Sequence, residues 1–102
     1  MIRIKTTAAI AAALLTVAST GAYAQYRQEQ VQDRVQDTNQ RINREYREGE
    51  ISRGEARELK HENREIQHEE NAMARDGLSR GEQRSLNQQE NQLNRQITRE
   101  SR

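Results

Sequence analysis

After Ala24 the chain holds only ten Ile, Leu and Val in 78 residues, and its 102 residues contain no Phe, Trp, Cys or Pro. That aliphatic share of about 13% falls below the roughly 20% under which a chain usually cannot build a core. Such a chain folds only if nearly every aliphatic residue lands in one seam. The same scarcity excludes an ordinary globular enzyme core, and the lack of Cys excludes a disulfide scaffold. A polytopic membrane protein is excluded as well, because it would need several long apolar runs.

The first 24 residues are of the opposite kind. Arg3 and Lys5 are followed by an apolar run from Thr6 to Ala18, and Ala22-Tyr23-Ala24 ends the segment. A basic start, a short apolar middle and a small-x-small end make a secretory signal peptide. The run is shorter than the roughly 20 residues needed to cross a bilayer, so cleavage after Ala24 is expected rather than anchoring. The mature chain would be residues 25–102, periplasmic or secreted, with no membrane attachment. Losing Arg3 and Lys5 leaves 15 bases against 16 acids. A balanced, slightly acidic chain lacks the basic footprint of a nucleic-acid binder.

Within 25–102 a segment repeats. Residues 51–59 (Ile51-Ser52-Arg53-Gly54-Glu55-Ala56-Arg57-Glu58-Leu59) align with residues 78–86 (Leu78-Ser79-Arg80-Gly81-Glu82-Gln83-Arg84-Ser85-Leu86), with six of nine positions identical. Each copy reads as a capped helix start. Ser52 and Ser79 are N-caps, and Glu55 and Glu82 three residues later complete capping boxes. Gly49 and Gly77, just upstream, suit the left-handed position that ends a helix. The spacing predicts three helices, at about 26–48, 53–75 and 80–100, with no Pro to interrupt them.

The aliphatic residues then fall on heptad spacing. The first helix offers Val31, Val35, Thr38 and Ile42. The second offers Ala56, Leu59, Asn63, Ile66, Glu70 and Met73, and the third Gln83, Leu86, Glu90, Leu93 and Ile97. One row is apolar, while its neighbour is Asn63, Glu70, Gln83 and Glu90. The expected fold is all-α: a signal peptide followed by three amphipathic helices in a helical hairpin or small three-helix bundle. An acidic second helix should also attract the basic stretch 75–102 along its side. The first helix can fold back as a third member or pair with a second copy. The second route hides more apolar area and places Asn63, Gln83 and Glu90 at the seam's margins, so a homodimer is expected.

Candidate chemistry is sparse. Gly49, Ile51 and Glu55 mimic the second half of a calcium loop, but its first ligands would fall on Arg44 and Tyr46, which cannot bind calcium. His61 and His68 lie seven residues apart on one helix face, and Glu58 and Glu65 complete the only metal-ligand candidates. Two turns separate the histidines by about 10 Å, too far for a single zinc with bonds near 2.0 Å. No catalytic residue and no cofactor are expected, since there is no nucleophile motif and no dry pocket to shift a carboxylate.

The run Glu48-Gly49-Glu50-Ile51-Ser52-x-x-Glu55-Ala56-x-x-Leu59, with Ala74-x-Asp76-Gly77-Leu78-Ser79-x-x-Glu82-x-x-x-Leu86, resembles a group of small, Arg/Glu-rich exported proteobacterial helical proteins. The resemblance covers about residues 41–97 and implies export and helicity; it carries over no functional residue. This chain departs from the group by lacking a residue between Gly77 and Leu78, and by Gln and Asn where Arg is usual. The expected function is a non-enzymatic exported protein, interaction- or stress-related, acting through a protein partner or self-association. The alternative is a periplasmic metal-binding or metal-sensing protein using His61 and His68.

The leader yields a direct expectation. Intact mass of the protein from the periplasmic fraction should correspond to a chain starting at Gln25, with or without cyclisation to pyroglutamate. A mass that retains Met1 to Ala24 contradicts cleavage.

Overall fold

Arg, Glu, Gln and Ala favour helix, no Pro intervenes, and helix-ending conformations are confined to two glycines. The result is a computed structural model with three long helices. It describes the backbone from Ile2 and the side chains from Gly21 to Arg102, so most of the expected leader lies outside the described side chains. Helix α1 is Ile2–Arg47, α2 is Arg53–Met73 and α3 is Arg80–Glu100. The α1 helix starts well before residue 26. Nothing near Gln25 breaks it, because the segment has neither a Pro nor a capping box to mark a fresh start.

Both repeat copies are helix starts. Ser52 and Ser79 adopt nearly the same extended backbone, φ −76°, ψ 166° and φ −77°, ψ 165°. The Glu55 and Glu82 amides each donate to the serine hydroxyl at 3.1 Å. In return the Ser52 and Ser79 amides donate to the glutamate carboxylates at 2.7 and 3.0 Å. The serine amide, then the serine hydroxyl, hold both carboxyls below the usual glutamate range.

The two glycines end their helices differently. Gly49, at φ +76°, closes a Schellman motif, with Glu50 N–H donating to Glu45 O at 2.9 Å and Gly49 N–H to Tyr46 O at 3.1 Å. The second end is a correction. The α2 helix stops at Met73, and Ala74–Asp76 form a 3-10 turn before Gly77 at φ +88°, ψ 128°. Its φ is positive, as at Gly49, but its ψ lies outside the left-handed helical region; no residue separates Gly77 from Leu78, where one separates Gly49 from Ile51.

The helices pack up, down and up, so α1 and α3 run parallel. The core comprises Val31, Val35 and Ile42 from α1, Ala56, Leu59 and Ile66 from α2, and Leu86, Leu93 and Ile97 from α3. Ile51 and Leu78, in the two turns, are also buried and close the ends of the core. In the single chain α1 packs as the third member of the bundle, with Val31, Val35 and Ile42 buried. The expected attraction between α2 and α3 is not built from ion pairs between their sides. Among the described residues, Gln89 donates to Glu69 at 2.7 Å, and Arg102, past α3, reaches Glu55 at 3.4 Å. The chain end is further tied down by Arg102 N–H to Glu50 O at 2.9 Å.

Glycine substitutions should separate the two kinds of site. Gly77→Ala should destabilise by about 1–3 kcal/mol, since its φ of +88° strongly favours Gly. Gly81→Ala should stabilise by about 0.5–1 kcal/mol, because it sits in the first turn of α3 with open space around it. Ser79→Ala should remove about 0.5–2 kcal/mol. Urea unfolding of the three variants checks all three signs.

Candidate functional site

With one aliphatic residue per heptad in much of each helix, closing three helices turns polar residues inward. Thr38 and Asn63 are 3% exposed, Glu70 is 1% exposed and Glu90 is fully buried. This corrects the expectation that Asn63 and Glu90 would sit at the seam's margins. With α1 in place as the third wall, the margin of a two-helix seam becomes the interior of a bundle. Gln83 alone of that expected set stays partly exposed, where its amide donates to Gln30 at 3.0 Å.

The buried groups are only partly satisfied. Thr38 Oγ1 donates to Glu90 Oε2 at 2.7 Å, and Asn94 Nδ2 donates to Thr38 Oγ1 at 3.1 Å. Asn63 Nδ2 donates to Val35 O at 2.9 Å, tying α2 to α1 through a backbone carbonyl. Asn63 Oδ1, Glu90 Oε1 and both Glu70 carboxylate oxygens are buried without a hydrogen-bond partner. Burial pushes the Glu90 carboxyl above the usual glutamate range, and the Thr38 hydroxyl and the Arg34 charge offset only part of that.

Around this layer, α1 is stitched to α3 by a ladder with a seven-residue period. Arg34 donates to Asn87 O at 3.3 Å and to Asn91 Oδ1 at 2.8 Å. One heptad on, Arg41 donates to Asn94 O at 3.2 Å, Asn94 Oδ1 at 3.0 Å and Thr98 Oγ1 at 2.9 Å. One heptad back, Arg27 Nε donates to Leu78 O at 2.6 Å. The Arg34 and Arg41 forks each span one turn of α3, which suits their planar array of donors, while Arg27 meets the turn before it. Sequence reasoning missed this ladder. Its signal was the spacing of Arg27, Arg34 and Arg41 against Asn87 and Asn94, meaningful only once the first and third helices are known to be parallel.

The metal-ligand candidates lie elsewhere, on the solvent face of α2. His61 Nε2 and Glu65 Oε1 are 3.1 Å apart, and both side chains are 66% exposed. Glu58 and His68 are exposed as well, and among the described residues no three His, Asp or Glu come close enough to hold one ion. The surface concavities are open grooves. One of about 370 Å³ between α1 and α2 is lined by Val35, Gln36, Asn39, Lys60, Asn63, Arg64 and Gln67. Another of about 210 Å³, between α2 and α3, is walled by Glu62, Glu65, Glu69 and three glutamines. Among the described residues, no helix is long and apolar enough to cross a membrane.

The ladder should carry a measurable share of stability. Arg34→Met is expected to cost about 1–3 kcal/mol, from lost charged hydrogen bonds and from the nearby Glu90 carboxylate it leaves less compensated. Arg44→Met, on the exposed face of α1, should stay within about 0.5 kcal/mol of the parent. Equal effects in urea unfolding would remove the ladder from the argument.

In comparisons with known proteins, the chain matches no family model, no curated protein and no solved structure.

Proposed function

We propose that this is a small exported, non-enzymatic helical protein that acts in the periplasm or outside the cell by binding another protein. The observation carrying this reading is the polar attachment of α1 to α3. Arg34, Arg41 and Gln30 hold α1 in place through hydrogen bonds at the bundle surface, where water competes for every donor and acceptor. Beneath them lie Val31, Val35 and Ile42, an apolar stripe whose departure from the bundle would present a helix face and a matching groove. Amphipathic helices of this kind bind partners through i, i+4 and i+7 anchors. The export reading rests on the leader, and the resemblance to small exported Arg/Glu-rich proteins supports it.

Metal binding is the second reading, and the His61–Glu65 contact favours it. Two ligands on an exposed helix face would bind zinc weakly, and zinc titration of His61→Ala against the parent tests it.

The principal reading predicts that partner capture requires α1 to move. In a Gln30→Cys, Asn87→Cys variant, the two positions face one another across the α1–α3 contact, where the native amides meet at 3.0 Å. Bridging these thiols with a short reagent should abolish capture of a discrete periplasmic protein that the unbridged variant retains. Capture that survives bridging, or no capture by the unbridged protein, contradicts the reading.

A further inference from the structure

Glu70 and Glu90 are the two glutamates set wholly inside the seam, and neither has a full set of partners. Glu90 is approached from α1 by Thr38, which donates to Oε2, and by the charge of Arg34. Arg34 itself is engaged with Asn87 and Asn91, so it acts on Glu90 at a distance rather than by direct contact. From α2, the residues turned into the core are Ala56, Leu59, Asn63, Ile66 and Glu70, of which Glu70 alone can titrate. On α3, Asn94 donates to the Glu90 backbone carbonyl at 2.9 Å and leaves Oε1 unpartnered. No cation contacts either buried carboxylate among the described ion pairs.

An ionised carboxylate in such a place is costly, and a chain has two ways to relieve it: bind a proton, or let water in. Loosening the α1–α3 contact gives water a route to Glu90, because Thr38, which donates to Glu90, is braced by Asn94, a partner of Arg41 in the ladder. We propose that the buried Glu90 carboxyl, held by Thr38 of α1 and with its second oxygen unpartnered, makes this bundle a pH-sensitive switch, closed tightly in mild acid and loosened at α1 as pH rises. The inference stands on the core alone and holds whichever partner the protein binds.

The direction follows from linkage. The Glu90 carboxyl titrates above its ordinary value of 4.5 in the folded chain, so its contribution is full below 4.5 and is lost as pH rises through the folded value. The capping glutamates Glu55 and Glu82 act oppositely. Their carboxyls titrate below 4.5, so their contribution holds above 4.5 and is lost as pH falls through the folded values. Stability should therefore peak in mild acid, between the loss of the caps and the ionisation of the core.

The test uses the full chain, Glu90→Gln, and Glu58→Gln as an exposed control. The amide keeps the shape of the carboxyl and removes its titration. From about pH 8 to about pH 5, the parent and the control should gain in Tm. The Glu90→Gln variant should start higher at the alkaline end and change little. Hydrogen exchange of the Val31 to Ile42 amides should slow in acid, beyond the intrinsic rate change, in the parent only. A parent Tm that is flat or falls over this range overturns the switch, as does a Glu90→Gln variant that keeps the parent's profile.

Discussion

A three-helix bundle needs roughly two inward-facing residues per heptad from each helix, and this chain supplies barely one aliphatic residue for each heptad. Every other inward position must be filled by something polar. Thr38, Asn63, Glu70 and Glu90 occupy those positions, and most of the distinctive geometry follows from accommodating them. Thr38 faces Glu90, Asn94 braces Thr38, and Asn63 finds the Val35 carbonyl. Where partners ran out, carboxylate oxygens are buried bare.

The same scarcity explains the division of labour between the helix ends and the helix sides. Apolar burial is concentrated in one narrow seam, sealed by Ile51 and Leu78 in the turns. Two capping boxes and a Schellman motif define the ends locally, with no contribution from the core. On the sides, guanidinium forks replace the apolar contacts that a richer sequence would place between α1 and α3. Arginine suits this role because the Arg34 and Arg41 forks each engage two residues of α3 a turn apart. A bundle assembled this way is specific in register, since a shift of one residue would unseat every fork.

Register specificity and a polar closure are what the proposed exchange of contacts with a partner draws on. The ladder aligns α1 on α3 through hydrogen bonds, and beside it Glu90 Oε1 is buried without a partner. The exposed α2 face, with His61 beside Glu65, is separate from this machinery: it touches neither the polar layer nor the ladder.

The sequence alone determined the helix starts, because capping boxes and glycine turns act over three or four residues and need no tertiary partner. Ser52, Ser79, Gly49 and the start of α3 were all legible on those grounds. Its two-row heptad pattern also marked the aliphatic residues that form the seam. Only the tertiary structure decided which polar residues lie inside, because that depends on the third wall supplied by α1. It also decided that Gly77 combines its positive φ with ψ 128° rather than the left-handed helical value, as the short link from α2 reaches a buried Leu78. The arginine ladder belongs to the same class: Arg34 and Asn91 are 57 residues apart, and only the parallel packing of α1 and α3 brings a guanidinium within reach of an amide that distant in the chain.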